Sequence, residues 1–415
     1  MQKFLSQLFG KSEQQPAPII DPTVVQINNL IEAGTLAQEQ GRMQAALTAF
    51  EQGLALSREV GHTQSEQVFL SGLGAIYVQQ RRYEEAETAF KQALNLAKHL
   101  DQYVLIARSQ NNMGELYAAQ NDWPQAQSYH EQALKIARPT GDPITIILVL
   151  ENLARDYLAQ NNPSYAVRLL KEAVTIAQTQ QNIHLGASAL GRLGEATIAM
   201  GEKASGRKLL EQALHLSQQI ARFNLALRWM MKLAELDTED KLYQSAINRY
   251  QQIDDVAHRI GNQSTEFFLQ LALNTADAYL RVGNYTQALA QAERAILHAT
   301  KISDTVSTAK AVGQMGLSYQ GLKRYDEAIE KIKEGLAYYA DGTLDDITEK
   351  SRLLLALGRS QQRSGDTTAA LETYRQSLEL TNNDENPSHR AEALQLIAAV
   401  HSTRLERDEA IKLYQ

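Results

Sequence analysis

The stretch LSGLGAIYVQQRRYEEAETAFKQAL, residues 70–94, contains the pattern that decides the fold. It holds two small residues, Gly74 in its first half and Ala86 twelve positions later. Large apolar residues such as Tyr77 and Phe90 stand around them at helical spacing. The stretch therefore predicts two amphipathic helices that approach closely where the small residues meet.

The same two small slots recur along the chain at a spacing of 40, with two insertions of two residues. The first slot is always Gly or Ala, at Gly34, Gly74, Gly114, Ala154, Gly194, Ala234, Ala276, Gly316, Gly358 and Ala398. The second slot is also always small, at Ala46, Ala86, Ala126, Ala166, Gly206, Ala246, Ala288, Ala328, Ala370 and Ala410. A fixed period of this length indicates a solenoid, in which each repeat buries its apolar face against its neighbours.

We therefore predict an all-α fold, a right-handed α-solenoid of about ten helix-turn-helix repeats. The repeats start near residues 24, 64, 104, 144, 184, 224, 266, 306, 348 and 388. Residues 1–20 are predicted to be an N-terminal amphipathic segment and linker, and residues 21–415 the solenoid, with the last repeat incomplete.

The two ends leave alternatives open. The N-terminal segment places four apolar residues on one helical face, namely Phe4, Leu5, Leu8 and Phe9. They are expected either to contact a membrane surface or a partner, or to cap the first repeat. The tenth repeat stops at Gln415 within its second helix. Self-association through this end is therefore one alternative, and continuation into a C-terminal effector domain is another.

Composition excludes several classes of function. The 415 residues include no cysteine, so disulfides and thiolate chemistry are ruled out and a cytoplasmic location is predicted. A net charge of −7, from 41 basic and 48 acidic residues, argues against a nucleic-acid partner. Uncharged apolar runs all stay well short of the 18 or so residues that a membrane span requires, so membrane contact is expected only through the N-terminal segment.

Motifs of catalysis are also missing from the sequence. It contains no phosphate-binding glycine loop, no His-Glu-x-x-His motif and no nucleophile elbow, and its nine histidines lack metal-ligand spacing. His130 occupies an aromatic core slot of the third repeat. We therefore expect no enzyme activity, no catalytic residue, no cofactor and no metal.

The repeat pattern resembles the tetratricopeptide-repeat family, whose signature has Leu-Gly, then Tyr, then Ala and an aromatic residue in the second helix. The clearest copy has Leu73, Gly74, Tyr77, Ala86 and Phe90 at these places. Repeats of 40 residues are longer than the usual 34 and are similar to those of kinesin light chain, Pins-type polarity adaptors and bacterial peptide-sensing regulators. The resemblance implies that an extended peptide binds along the concave surface of the first helices.

The resemblance also implies where such a peptide would be contacted, because amides just before the Leu-Gly pair hydrogen-bond a peptide backbone in that family. The residues two or three places before the first slot include Asn111, Asn112, Glu151, Asn152, Arg192, Met231 and Asn274. The charged residues one place after the slot, also expected on the concave side, are Glu115, Arg155, Glu195, Glu235 and Asp277. The cations six places before it include Arg108, Arg228 and Lys310.

We therefore expect a non-catalytic protein–protein interaction scaffold that binds a protein or peptide ligand, with repeats three to seven as its binding centre. Two other functions stay open: a sensor or regulatory module of a longer protein, and a self-assembling scaffold. The charged residues also have an alternative explanation, as ion pairs within single repeats on a solvated face, each contributing about 0–1 kcal/mol.

Overall fold

The structure, a computed structural model, describes residues 21–261, 263–339, 346–381 and 387–403, without the side chains of Glu39 and Thr403. Within these residues it contains nineteen α-helices and no strand. They are α1 (Pro22–Glu39), α2 (Met43–Glu59), α3 (Thr63–Gln79), α4 (Tyr83–His99), α5 (Tyr103–Ala119), α6 (Trp123–Thr140), α7 (Pro143–Ala159), α8 (Pro163–Thr179), α9 (Ile183–Ala199), α10 (Lys203–Gln219), α11 (Phe223–Glu239), α12 (Tyr243–Ile260), α13 (Thr265–Arg281), α14 (Tyr285–Lys301), α15 (Thr305–Gly321), α16 (Tyr325–Ala337), α17 (Ile347–Ser364), α18 (Thr367–Leu380) and α19 (Pro387–Thr403).

The predicted all-α solenoid is confirmed, because consecutive helices pack as pairs that repeat along the chain. Odd-numbered helices are the first helices of the repeats and even-numbered helices are the second ones. The chain divides into two compact units, residues 1–206 and 207–415. Within each unit the first helices of consecutive repeats also touch, as α5 touches α7 and α13 touches α15.

Two predicted features lie outside the described residues. One is the amphipathic segment of residues 1–20, and the other is the second helix of the tenth repeat, beyond residue 403. In the part of the chain that is described, no helix combines the length and the apolar character needed to cross a membrane.

The small slots lie where the two helices of a repeat cross. Ala86 is fully buried, and a Cβ atom added at Gly74 would collide with the ring of Phe90, which is 2% exposed. The same relation joins Gly114 to His130 in the third repeat. Each large residue of the second helix therefore occupies the space that the missing side chain leaves, which explains the strict selection of small residues.

Short turns join the helices, and most contain a residue with a positive φ angle. Glycine occupies this position at Gly41, Gly61, Gly141, Gly201, Gly261, Gly283 and Gly365. Other residues occupy it at Arg81, Asp101, Asn121, Asn161, Gln181, Ala221, Lys241, Ser303 and Lys323. The turn geometry is therefore conserved between repeats even where the residue type does not favour it.

Replacing Ala221 with glycine is expected to raise the free energy of unfolding by roughly 0.5–1 kcal/mol. Ala221 has a φ of 53°, where a residue with a Cβ atom is strained and glycine is not. Denaturant titration measures the change. The control is Ala290→Gly at an exposed position inside α14, which should lower the same free energy by about 1 kcal/mol. A loss of stability in Ala221→Gly would contradict the strain at this turn.

Candidate functional site

An ion pair joins the first helices of the third and fourth repeats in the first unit. Arg155 in α7 donates from Nη1 to Glu115 Oε2 at 3.1 Å and from Nη2 to Glu115 Oε1 at 2.6 Å. Burial alone would lower the pKa of Arg155, but Glu115 and Asp156 reverse that effect and raise the pKa. The two side chains remain 34% and 36% exposed, so this pair is both fixed between two helices and open to a ligand.

A second ion pair joins the fourth repeat to the fifth. Glu151 in α7 lies 3.0 Å, through Oε2, from Nε of Arg192 in α9. The hydroxyl of Ser188 donates to the same Oε2 at 3.0 Å. Glu151 is only 7% exposed. The sequence predicted Glu151 and Arg192 as site residues, and the structure adds Ser188 as their neighbour.

Amide side chains form a third contact between these helices. Asn152 Nδ2 donates to Asn111 Oδ1 at 3.0 Å, and both residues are buried. Asn112, the next residue along α5, is half-buried. Asn111 and Asn152 therefore hold α5 against α7, and Asn112 is the more accessible amide.

Arg108 connects α5 to the start of α7. Its Nε donates to the Thr145 hydroxyl at 2.8 Å and its Nη2 donates to Asp142 Oδ2 at 3.3 Å. Asp142 also accepts the backbone N–H of Thr145 at 3.0 Å and so caps α7. Burial would raise the pKa of Asp142, but the hydrogen bonds from Thr145 and Arg108 lower it.

A fully buried His–Asp pair adjoins this surface. His130 Nδ1 donates to Asp156 Oδ2 at 2.5 Å, and both side chains are 0% exposed. His130 Nε2 lies 3.6 Å from Glu115 Oε1, and Asp156 Oδ1 lies 3.7 Å from Arg155 Nη2. His130 was placed in the core by sequence reasoning, but its partner Asp156 was missed.

Residue spacing explains why these partners meet. Glu115 and Arg155 are 40 residues apart, and Asn111 and Asn152 are 41 apart, so nearly equivalent positions of neighbouring repeats face each other. In the first unit, the alternative of ion pairs within single repeats is therefore wrong for Glu115 with Arg155 and for Glu151 with Arg192, since both pairs connect different repeats. The remaining predicted residue of this unit, Glu195, is half-buried in α9.

The second unit holds the other six predicted residues, three of them in α11. Arg228 is exposed, and its guanidinium carbon lies 4.9 Å from the ring centre of Trp229. Met231 is partly buried and packs on the core of this unit. Glu235 accepts from Lys232 Nζ at 3.1 Å, so this ion pair does lie within one repeat.

The last three predicted residues lie in α13 and α15. Asn274 accepts from Gln270 Nε2 at 2.7 Å. Asp277 lies 3.5 Å from Arg281 Nε and 3.5 Å from Nη1 of Arg352, which is two repeats further along the chain. Lys310 is exposed. The predicted residues are thus divided between two units, and the set that the structure brings into mutual contact is the one in α5, α7 and α9.

Comparison with family profiles gives three matches. The profile described as tetratricopeptide repeat matches residues 25–99, 65–139, 105–179 and 268–341, which is more than half of the chain. A second tetratricopeptide-repeat profile matches residues 353–388. The profile of the soluble NSF attachment protein matches residues 153–273.

Solved structures share the fold at low sequence identity. A signal transduction ATPase with a tetratricopeptide repeat sensor, from Pyrococcus horikoshii, has a TM-score of 0.60 and 13% identity, over 83% of this chain and 52% of that one. The apo form of the quorum sensor NprR from B. thuringiensis has a TM-score of 0.55 and 14% identity, over 86% and 97%. A Rap protein complexed with competence and sporulation factor has a TM-score of 0.54 and 13% identity, over 93% and 99%.

Among sequence relatives, the photosystem I assembly protein Ycf3 from Synechococcus sp. (strain WH7803) is 34% identical over 85 residues. That match covers 20% of this chain and 38% of Ycf3. The chain therefore spans little more than a third of this relative, and about half of the archaeal ATPase.

Proposed function

The chain belongs to the tetratricopeptide-repeat family, and on that basis we propose that it is a non-catalytic scaffold that binds a peptide segment of a partner protein. The binding surface we propose is formed by the first helices α5, α7 and α9. One observation carries the proposal: charged and amide side chains of these helices contact each other from repeat to repeat, at Glu115 with Arg155, Asn111 with Asn152 and Glu151 with Arg192. The absence of cysteine supports a cytoplasmic location for this role.

Stability alone does not account for this polar layer. Ion pairs that are partly removed from water seldom stabilise a fold more than apolar residues of similar volume do. Their value for recognition is larger, because charges held in fixed positions select a complementary ligand and reject others. A layer whose side chains are already ordered also loses less entropy when a ligand binds.

Separate roles follow from the exposure of each side chain. We assign charge selection to Glu115 and Arg155, which are about one third exposed. We assign contact with the peptide backbone to Asn112, whose amide offers both a donor and an acceptor. Buried Asn111 and Asn152 then act by positioning α5 and α7.

The second unit offers a surface of the same kind for the same ligand class. Asn274 and Asp277 are half-buried in α13, while Arg228 and Lys310 are exposed. Partly buried Met231 would add an adaptable apolar contact. We propose these residues, with Glu235, as further contacts for a partner.

The test removes both charges of one pair without changing the net charge. We expect the double variant Glu115→Gln/Arg155→Gln to retain about a tenth or less of the partner that the unchanged chain captures from a lysate of the source organism. Its melting temperature should change little, because a half-exposed pair contributes about 0–1 kcal/mol. Quantitative mass spectrometry of the captured proteins measures the ratio.

A matched control lies on the second helices. Arg138 in α6 donates from Nη2 to Glu172 in α8 at 2.9 Å, so this is also an Arg–Glu pair between repeats. The variant Arg138→Gln/Glu172→Gln should capture the partner at the level of the unchanged chain. Equal capture by both double variants would show that α5 and α7 do not read the charge of the ligand.

A regulatory module is the second candidate function. The structures that share the fold include a quorum sensor, a Rap protein bound to a signalling factor and an ATPase with a repeat sensor. A sensor differs from a passive scaffold in that its ligand changes the solenoid beyond the contact residues. Hydrogen exchange with the captured partner bound would separate the two, because a passive scaffold gains protection only in the repeats that are touched.

A further inference from the structure

A cleft of about 530 Å³ in the second unit is lined by residues from α13 to α17. Five of its lining residues are cations: Arg281, Lys323, Arg352, Arg359 and Arg363. The chain as a whole has a net charge of −7. The concentration of positive charge is therefore a local property of this cleft and does not follow from the overall composition.

Missing side chains in α15 allow the cleft to form. The ring of Tyr285 lies where a Cβ atom of Gly321 would be, and Leu353 of the ninth repeat packs closely on Gly313. Because α15 presents little bulk here, Arg352 reaches across the eighth repeat to Asp277. The seventh and ninth repeats thus line the same cleft.

Carboxylates of the chain already pair with three of the cations. Asp277 lies 3.5 Å from both Arg281 and Arg352, and Glu349 lies 2.8 Å from Arg352. Glu392 of α19 pairs with Arg359. The guanidinium groups of this cleft are therefore held in positions where carboxylates dock.

Two cations have no such partner. Lys323 and Arg363 are exposed, and neither makes an ion pair with any residue that the structure describes. The Nε atom of Arg352 is buried and has no hydrogen-bond partner in the same part of the chain. Unpaired positive charge beside an unsatisfied buried donor favours an anionic ligand.

Apolar side chains form the rest of the wall. Leu280 and Leu317 line the cleft together with Tyr325, and all three are partly buried. Inorganic phosphate would leave these surfaces uncovered, whereas a peptide that carries both carboxylates and apolar side chains would cover them and reach the free cations.

We propose that this cleft binds an acidic peptide segment of another protein, with its carboxylates on Lys323 and Arg363 and an apolar side chain against Leu280 and Leu317. The site involves none of the contacts in α5, α7 and α9, so the inference goes beyond the proposed function and does not depend on it. Because its cations are partly exposed, binding should weaken as salt concentration rises.

Peptide display tests the proposal directly. A naive library of random twelve-residue peptides is selected on the unchanged chain and on the variant Lys323→Glu/Arg363→Glu. We expect the pool from the unchanged chain to be enriched in Asp and Glu combined with apolar residues. The enriched peptide should bind the variant about tenfold or more weakly by fluorescence anisotropy.

Matched variants complete the experiment. Lys333→Glu/Arg375→Glu makes the same change in net charge at exposed positions of α16 and α18, and should bind the peptide normally. The neutral variant Lys323→Gln/Arg363→Gln replaces the reversed one if the latter melts early, and should also weaken binding. Glu115→Gln/Arg155→Gln should leave the affinity unchanged, so failure here is distinguishable from failure of the proposed function.

Three results would overturn the proposal. One is a selected pool without acidic enrichment, and another is an enriched peptide that binds the pocket variants as tightly as the unchanged chain. The third is complete displacement of the peptide by inorganic pyrophosphate at an equal concentration, which would reassign the cleft to phosphate groups.

Discussion

Replacing Phe90 with alanine is expected to lower the free energy of unfolding of the second and third repeats by about 3–5 kcal/mol. The ring is 2% exposed, fills the space above Gly74, and packs with Met113 and Leu116 of the next repeat. Its removal therefore leaves a cavity both inside one repeat and between two. Hydrogen exchange measured by mass spectrometry should show the loss of protection.

The location of that loss is as informative as its size. In a solenoid each repeat contacts only its neighbours, so the effect should be confined to α3 to α6 and leave α9 protected. The control Tyr103→Ala removes an aromatic ring that is 58% exposed, and should cost less than about 1 kcal/mol. A uniform loss of protection along the first unit would contradict the nearest-neighbour description of this chain.

The fold could be predicted because its determinants are local and repeated. A small residue at Gly74 and a large one at Phe90 specify one helix crossing, and ten copies of that pattern leave little ambiguity about the architecture. The turns were harder to predict in detail. Ala221 and Lys323 adopt positive φ angles although their residue types disfavour it, because the packed helices on either side fix the turn.

The candidate site was only partly predictable. Equivalent positions on the first helices were identified correctly as neighbours in principle, but spacing alone does not say whether Asn152 faces a ligand or Asn111. The structure shows that the two amides bind each other. The basic cleft was missed for a related reason, since Asp277 and Arg352 are 75 residues apart and meet only because α15 is slim at this point.

The buried pair of His130 and Asp156 left a detectable trace in the sequence. His130 stands in the slot that holds Phe90 in the second repeat, and Asp156 stands in the slot that holds Leu116 in the third. A polar residue in each of two apolar slots, 26 positions apart, is what a buried pair between a second helix and the next first helix requires. Such coupled departures are a better guide to buried polar contacts than either residue alone.

Removing one member of this pair is expected to be severely destabilising. Asp156→Ala should lower the free energy of unfolding by about 3–5 kcal/mol, because it leaves the buried imidazole of His130 without its hydrogen-bond partner. His130→Phe alone should also destabilise, since it leaves the Asp156 carboxylate buried and poorly paired. Urea titration of each variant measures the loss.

Removing both members together should restore most of the stability. The double variant His130→Phe/Asp156→Leu uses the residue types that Phe90 and Leu116 place in the same slots, so apolar packing replaces the polar contact. The coupling energy in the double-mutant cycle should be about 2–3 kcal/mol. A double variant as unstable as Asp156→Ala would show that these slots do not accept the packing used in neighbouring repeats.

The same double variant also separates stability from recognition. His130 and Asp156 adjoin Glu115 and Arg155, at 3.6 Å and 3.7 Å respectively. If the buried pair only holds the repeats together, the stable double variant should capture the partner at the level of the unchanged chain. If it positions the charges that the ligand contacts, capture should fall although the fold is intact, and restoring Asp156 alone should not recover it.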